Sequence, residues 1–300
     1  MTPSTRGPVL RTPEARFAHL PDFPYSPHYT EVDGLRIACI DEGPREAPVV
    51  LLLHGEPTWS FLYRKMIPVL VNAGYRAVAP DLVGFGRSDK PTEVGDYAYL
   101  NHVEWMKAWL KAYDLHEVTL FCQDWGSLIG LRVVADLPER FAAVALSNGG
   151  LPDGQDAPRA FAIWRAFAKY SPVFPIGGIV KRGTKRPLSE AEVAAYDAPF
   201  PTKPSKAAAR AYPPLVPFKG NPAVPDQLRA WDVFRQWHKP FLCCFSDGDP
   251  ITRGGDAVWL DRVPGTKGMP HTTLRGGHFI QEDDPAGFAA AIMTAARAAV

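Results

Sequence analysis

The stretch 118–128, Val-Thr-Leu-Phe-Cys-Gln-Asp-Trp-Gly-Ser-Leu, constrains the fold of this chain more than any other. Val118 to Phe121 predict a buried strand, a helical pattern resumes at Ser127, and small Cys122 and Gly126 flank the junction between them. A strand that passes into a helix through so few residues must turn sharply, and small neighbours let the surrounding backbone come close. This is the small-x-nucleophile-x-small spacing of a nucleophile elbow, with a carboxylate, Asp124, where such turns usually carry a serine.

The carboxylate changes the chemistry. A serine that attacked a saturated carbon would end as an ether, which water does not readily cleave. A carboxylate ends as an ester, and water then attacks the ester carbonyl, so one difficult displacement becomes two easier steps. With an ordinary carboxylate pKa of about 4, Asp124 is ionised at neutral pH and needs no base for the first step. The implied electrophile is an sp3 carbon bearing a leaving group, such as an alkyl halide or an epoxide.

Around this turn the chain alternates strands and helices. Tyr29 to Ile40 alternates about Asp33-Gly34, a hairpin signal. Apolar runs at Pro48–Leu53, Ala77–Ala79, Val118–Phe121, Ala142–Leu146 and Phe241–Phe245 read as buried parallel strands. Helical patterns fall at Trp59–Val71, His102–Tyr113, Ser127–Asp136 and Pro285–Val300. The expected fold is α/β, a mostly parallel doubly wound sheet. From about Leu151 to Leu228 prolines crowd together and Ser189-Glu190-Ala191-Glu192 resembles a helix start, so 151–228 is expected to be a helical cap inserted into a core of 1–150 and 229–300. Residues 1 to about 28 show no period and are expected to lie on the body as an irregular arm.

Three hundred residues suffice for one such domain. Net charge is +1 and the Lys and Arg residues are scattered, which argues against nucleic acid or an anionic membrane as main partner. The N-terminus has no apolar run after its positive charge and no later stretch approaches a bilayer span, so a soluble, unexported, cytoplasmic protein is expected. Cys39, Cys122, Cys243 and Cys244 lack metal-ligand spacing and read as buried free thiols in a reducing compartment; no metal is expected. No long exposed apolar helix or edge strand demands a partner, so a monomer suffices, with the oligomeric state left open.

A covalent ester needs a base to activate water, and in this arrangement the base comes last in the chain. His278, after Gly276-Gly277 and between the last strand and last helix, is the candidate among eight histidines. His54 is its rival, expected to orient its loop rather than move protons. A carboxylate following the strand Phe241–Phe245 should hold the imidazole in its working tautomer. Asp247 and Asp249 compete; Asp249 is favoured because the longer reach of the loop and the stiffness of Pro250 bring it to the base, leaving Asp247 to cap the loop. The amides of Glu56 and Trp125 are the natural oxyanion donors. The Glu56 carboxyl is either an acid near Asp124 or, preferably, a group turned to structural hydrogen bonds.

His54-Gly55-Glu56-Pro57-Thr58-Trp59, Asp81 to Pro91, Gln123-Asp124-Trp125-Gly126 and Gly276-Gly277-His278-Phe279 together resemble haloalkane dehalogenases of the α/β-hydrolase fold, from about Tyr29 to the C-terminus. The resemblance implies cofactor-free hydrolysis of small neutral haloalkanes to an alcohol, halide and proton, with substrate, water and halide ion as the only partners. It also implies that two polarised N–H groups hold the departing halide. Trp125 matches the first, and Trp164, in Phe161-Ala162-Ile163-Trp164, matches the cap tryptophan of the branch whose acid follows the cap. An indole N–H suits a diffuse anion because it donates without offering an acceptor. Phe161 and Tyr212 are expected at the pocket, while the facing of Phe167, Phe174, Tyr170 and Tyr196 is not legible.

Departures bear on the choice of family. Epoxide hydrolases use cap tyrosines to donate to the ring oxygen, and Tyr170, Tyr196 and Tyr212 keep that alternative open; Tyr212 stands where these dehalogenases tend to have an apolar wall. Fluoroacetate dehalogenases place an arginine after the nucleophile, whereas Trp125 stands here, so a charged haloacid is not expected. A catalytically silent ligand-binding protein of the same fold is the third reading.

Overall fold

The apolar runs become strands of one sheet because helices cover them on both faces. The computed structural model describes residues 7–299. Its strands are β1 (Val9–Leu10), β2 (His28–Val32), β3 (Leu35–Glu42), β4 (Val49–Leu53), β5 (Arg76–Pro80), β6 (Lys90–Pro91), β7 (Val118–Asp124), β8 (Phe141–Gly149), β9 (Phe241–Ser246) and β10 (Thr272–Leu274). Eight of them form a single sheet in the order β10-β9-β8-β7-β4-β5-β3-β2. Pairings are parallel from β10 through β5 and antiparallel at β5–β3 and β3–β2. The β2–β3 hairpin turns at Asp33 and Gly34, whose φ values of 50° and 72° are those a tight two-residue turn requires.

The helices are α1 (Ile67–Asn72), α2 (Tyr99–Ala112), α3 (Trp125–Asp136), α4 (Arg159–Tyr170), α5 (Ile176–Gly183), α6 (Glu190–Asp197), α7 (Ala207–Leu215), α8 (Val224–Phe234), α9 (Ala257–Arg262), α10 (Ile280–Asp283) and α11 (Pro285–Arg297). Val118, Leu120, Phe121 and Cys122 of β7 are wholly buried, and Phe121 meets Phe288 of α11 edge-on at 4.6 Å. Truncating Leu120 to alanine should cost about 3 kcal/mol, the usual toll of a cavity in such a core.

Three local expectations need correction. The helix expected over Trp59–Val71 is a 3-10 turn at Ser60–Tyr63 followed by α1. Pro68 explains the break: it fits a first helical turn but would clash with the carbonyl of Arg64 in a continuous helix. The N-terminal arm is more ordered than expected. Its β1 pairs with β6, Arg11 is ion-paired with Asp89 at 2.8 Å, and Phe17 and Phe23 pack edge-on against Trp59; its first six residues lie outside the described ones. Finally, α11 ends at Arg297, while Val300, the expected end, also lies outside them.

Five helices, α4 to α8, intervene between β8 and β9. Ser189 starts α6 with the reciprocal capping bonds to Glu192 that its sequence announced. Helix α8, which spans residue 228, packs on α3 and is tied to the segment after β8 through Trp231, whose indole N–H donates to the Leu151 carbonyl at 2.9 Å. All four cysteines are free and buried. No described helix is long and apolar enough to cross a membrane.

Candidate active site

The strand-to-helix turn places Asp124 at the carboxyl end of β7, with φ 52° and ψ −126°. This positive φ is costly for a non-glycine residue and survives only where surrounding contacts fix it. Those contacts are visible. A Cβ on Gly126 would overlap the Leu53 carbonyl of β4, and one on Gly55 would overlap the Asp124 carboxylate itself. Ser127 ties the turn down by donating to the Asp124 carbonyl at 2.5 Å and accepting from the Gly150 amide at 2.8 Å.

The two oxygens of Asp124 are inequivalent. Oδ1 accepts the Glu56 amide at 2.7 Å, whereas Oδ2 lies 3.4 Å from His278 Nε2. Of the two expected oxyanion donors, only the Glu56 amide meets Asp124; no hydrogen bond from the Trp125 amide to it is found among the described residues. His278 Nδ1 donates to Asp249 Oδ2 at 2.8 Å. Asp249 also accepts from the Ile251 amide at 3.0 Å and from the Thr252 hydroxyl. Asp247 instead accepts the Gly276 amide at 3.2 Å and caps the loop, as its rival role required.

Burial alone would raise the Asp249 carboxyl, but the His278 imidazole and its hydrogen bonds hold it down at about 2. Burial alone would lower the His278 imidazole, but Asp249 and Asp124 overcome it and push it up to about 10. Glu56 is buried, and that desolvation, with the nearby Asp124 charge, lifts its carboxyl well above the usual range. Its Oε1 has no hydrogen-bond partner among the described residues, so the structural hydrogen bonds favoured for it are not found there. His54 is locked: its Nε2 accepts from the Leu82 amide at 2.9 Å, so Nδ1 donates to the Gly55 carbonyl at 3.0 Å. That fixes a neutral tautomer, and burial lowers its pKa further.

The tryptophans occupy different settings. Trp125 is 3% exposed, stacked obliquely on Tyr212 at 4.3 Å, and its indole N–H has no acceptor among the described residues. Trp164, on α4, is half-buried between Phe167 at 5.7 Å and Phe174 at 5.8 Å. No ring contact or hydrogen bond joins it to Trp125 among the described residues. Phe161 packs on Phe218. The Tyr212 hydroxyl turns to His102 Nδ1 at 3.0 Å, Tyr196 donates to Glu282 at 2.5 Å, and Tyr170 is 73% exposed. Among the described residues no group of three or more His, Cys, Asp or Glu is placed to hold a metal ion.

Several residues that hold His278 were not singled out in the sequence. Its amide donates to the Gly183 carbonyl at 2.8 Å. Asn148 donates to its carbonyl at 3.0 Å, and Gln123 lies 2.9 Å from its Nε2. Asp283 gathers the amides of Gly277, Lys185 and Arg186. Beyond it Glu282, fully buried, pairs with Arg64 at 2.5 Å, with Tyr196 and with Arg186; Glu192 of α6 joins Arg64 at 2.6 Å. The signal available was polarity in apolar surroundings: Gln123 and Asn148 interrupt strands that otherwise read as hydrophobic.

A mostly parallel sheet, a strained carboxylate elbow, and an imidazole delivered from the loop after the last strand together define an α/β-hydrolase; a family model for that fold matches residues 48–172. Relatives refine this. The chain is 53% identical to a haloalkane dehalogenase of Psychrobacter cryohalolentis, covering 92% of this chain and 93% of that one, and 52% identical to one of Mycobacterium marinum, covering 92% and 95%. The solved structure of the haloalkane dehalogenase DpaA from Paraglaciecola agarilytica, described as tetrameric, superposes with TM-score 0.88 at 36% identity, covering 94% and 97%. The chain belongs to the haloalkane dehalogenase family.

Proposed function

We propose that this chain hydrolyses small, neutral haloalkanes to an alcohol, a halide ion and a proton through an ester on Asp124. One observation carries the assignment: Oδ1 of Asp124 is held by the Glu56 amide at 2.7 Å, while Oδ2 is turned to the imidazole, 3.4 Å from His278 Nε2. In this reading Oδ2 attacks the halogen-bearing carbon, the C–O bond forms as the C–halogen bond breaks, and the electron pair leaves with halide. Trp125 and Trp164 donate their indole N–H groups to the departing ion. Water then adds to Cγ of the ester, His278 Nε2 takes its proton, and negative charge develops on Oδ1, which already faces the Glu56 amide; the Trp125 amide is the second donor. Collapse expels the alcohol and restores the carboxylate.

Esterification also prepares the base. It abolishes the Asp124 charge, one of the influences that push the imidazole up to about 10, so His278 gives up its proton more readily in the ester than in the free enzyme. The rate of ester hydrolysis is therefore expected to fall as pH drops below an imidazole pKa lower than 10, because imidazolium cannot accept the water proton.

Helices α4 to α7 and the start of α8 are assigned as the cap, over about 151–228, with Phe161 and Tyr212 at the pocket. The epoxide alternative is weaker because the hydroxyls of Tyr212 and Tyr196 are committed to His102 and Glu282, and Tyr170 is exposed. No cofactor is needed. A monomer is taken as the working unit, and the buried free thiols suit a cytoplasmic location.

The test is halide and proton release from 1,2-dibromoethane and 1-bromobutane, with styrene oxide alongside and His278→Ala as trap. His278→Ala should release one equivalent of halide and gain the alkyl mass by intact-mass spectrometry. Diol from the epoxide without halide from either bromide would replace the assignment.

A further inference from the structure

Gln123 precedes Asp124 in β7 and is fully buried. Its side-chain Nε2 lies 3.3 Å from the His278 carbonyl oxygen and 2.9 Å from the His278 ring Nε2. A carbonyl oxygen only accepts, so the Gln123 atom facing it is the amide nitrogen. The same NH2 group therefore meets the ring nitrogen as a donor, and that nitrogen is satisfied only if it presents its lone pair. Turning the amide over would set Oε1 against the His278 carbonyl and carry the NH2 group to the place where Oε1 now finds no partner.

We propose that Gln123 is a positioning residue of the second step: once esterification has removed the Asp124 charge, its amide favours the lone-pair form of His278 Nε2 and drives a proton captured there onward to the leaving alkoxide. This rests on the two-step reading above. Asp249 fixes the proton on Nδ1 from the other side, at 2.8 Å. The further groups facing the imidazole are Asp124 and the Glu56 carboxyl, while Asp283 and Glu282 on the following segment are engaged by backbone amides and by Arg64, Arg186 and Tyr196. Asp124 and Asp249 favour a proton on the ring; among the described residues Gln123 is the neighbour placed to oppose it at Nε2. During hydrolysis water shares the Nε2 lone pair with the Gln123 amide, its proton passes to Nε2, and the resulting N–H stays beside that amide donor, which makes the proton easier to pass to the departing alkoxide.

The experiment uses Gln123→Met, which keeps the length and removes the donor. Single-turnover halide release, the alkylation step, should stay within about threefold of wild type. The acid limb of the ester-hydrolysis rate should move up by about one pH unit, leaving about tenfold less activity on that limb. Gln123→Glu, which accepts, should move it further the same way. An unmoved limb with a uniformly lower rate would mean a packing role only and overturn the proposal while leaving the two-step reading intact; absence of halide release from wild type would overturn that reading instead. Should the variants not fold, imidazole nitrogen NMR of the Asp124→Asn protein decides. A ring protonated at Nδ1 and bare at Nε2 supports the proposal, and a proton on Nε2 ends it.

Discussion

Two clusters of largely buried charge lie side by side in this molecule, and they differ in how fully their charges are paired. Asp124, His278 and Asp249 form the first; Arg64, Glu192, Glu282 and Arg186 form the second, entered from the same segment after β10. In the second, Glu282 accepts from two arginines and a tyrosine, while Glu192 caps α6 and pairs with Arg64 and Arg186. In the first, Asp124 Oδ2 meets only the longer 3.4 Å approach of His278 Nε2 among the described residues, and the Trp125 indole N–H has no acceptor among them. Saturated charge holds elements together; unsaturated charge, held equally firmly, is what a substrate can use.

The sharpest way to break this comparison is Asp124→Ala. Halide release from 1-bromobutane should fall by about 10⁴-fold or more, since a lost nucleophile leaves little beyond binding. The protein should remain folded by circular dichroism, because the substitution also removes charge from a costly positive-φ site. Activity within tenfold of wild type would mean that the reactive carboxylate lies elsewhere.

Glu282→Gln tests the other cluster. Leaving two arginines without their buried partner should cost about 3 kcal/mol, read from urea unfolding at pH 7. The pH dependence has a definite sign. Burial pushes both Glu282 and Glu192 up, but their arginine and tyrosine partners win and hold both below the usual carboxylate range. Groups depressed in the folded state stabilise it fully above their unfolded pKa, about 4.3, and lose that contribution as pH falls through the folded value. The gap between wild type and Glu282→Gln should therefore narrow on acidification below about pH 4. A gap that widened would reverse the electrostatic assignment.

The two clusters were unequally legible. Asp124 could be read because its surroundings are local in sequence: an apolar run, a small residue on each side, and a helix. His278 and Asp249 followed from chain order and from the loops after two strands, and Asp247 fell to capping through reach alone. The second cluster was invisible, because Arg64 and Glu282 stand 218 residues apart and an isolated Arg or Glu reads as surface. Gln123 was passed over for a related reason: alternation in a strand says which face a side chain leaves from, not that a ring arrives there from another loop. The break at Pro68 was legible in principle, since proline in mid-pattern ends a helix, and the apolar period on either side masked it.

Halide binding sharpens the comparison at the open end of the reactive cluster. Trp125→Phe removes an indole N–H that has no acceptor among the described residues and should weaken bromide binding, followed by quenching of the remaining tryptophans, by about ten- to a hundredfold. Trp164→Phe should cost no more than that, because its ring is half-buried among Phe167 and Phe174 and joins the site only if α4 brings it over Trp125. Unchanged binding in Trp164→Phe would leave it a packing residue of α4 and turn the search for a second donor elsewhere.

Tyr212→Phe should give the smallest effect and bears on the choice between halide and epoxide chemistry. The ring fills space between Phe85 at 4.9 Å, His102 at 4.5 Å and Trp125 at 4.3 Å, all of which phenylalanine can retain. Only the bond to His102 is lost. Burial lowers that imidazole to about 3, so it is neutral at working pH and the bond is between uncharged partners, worth about 1 kcal/mol of stability. Halide release should stay within about threefold of wild type, because the hydroxyl is not directed at Asp124. If Tyr212→Phe instead lost turnover of styrene oxide while keeping halide release, the hydroxyl must leave His102 during that reaction, and the saturated partner would have been the reactive one.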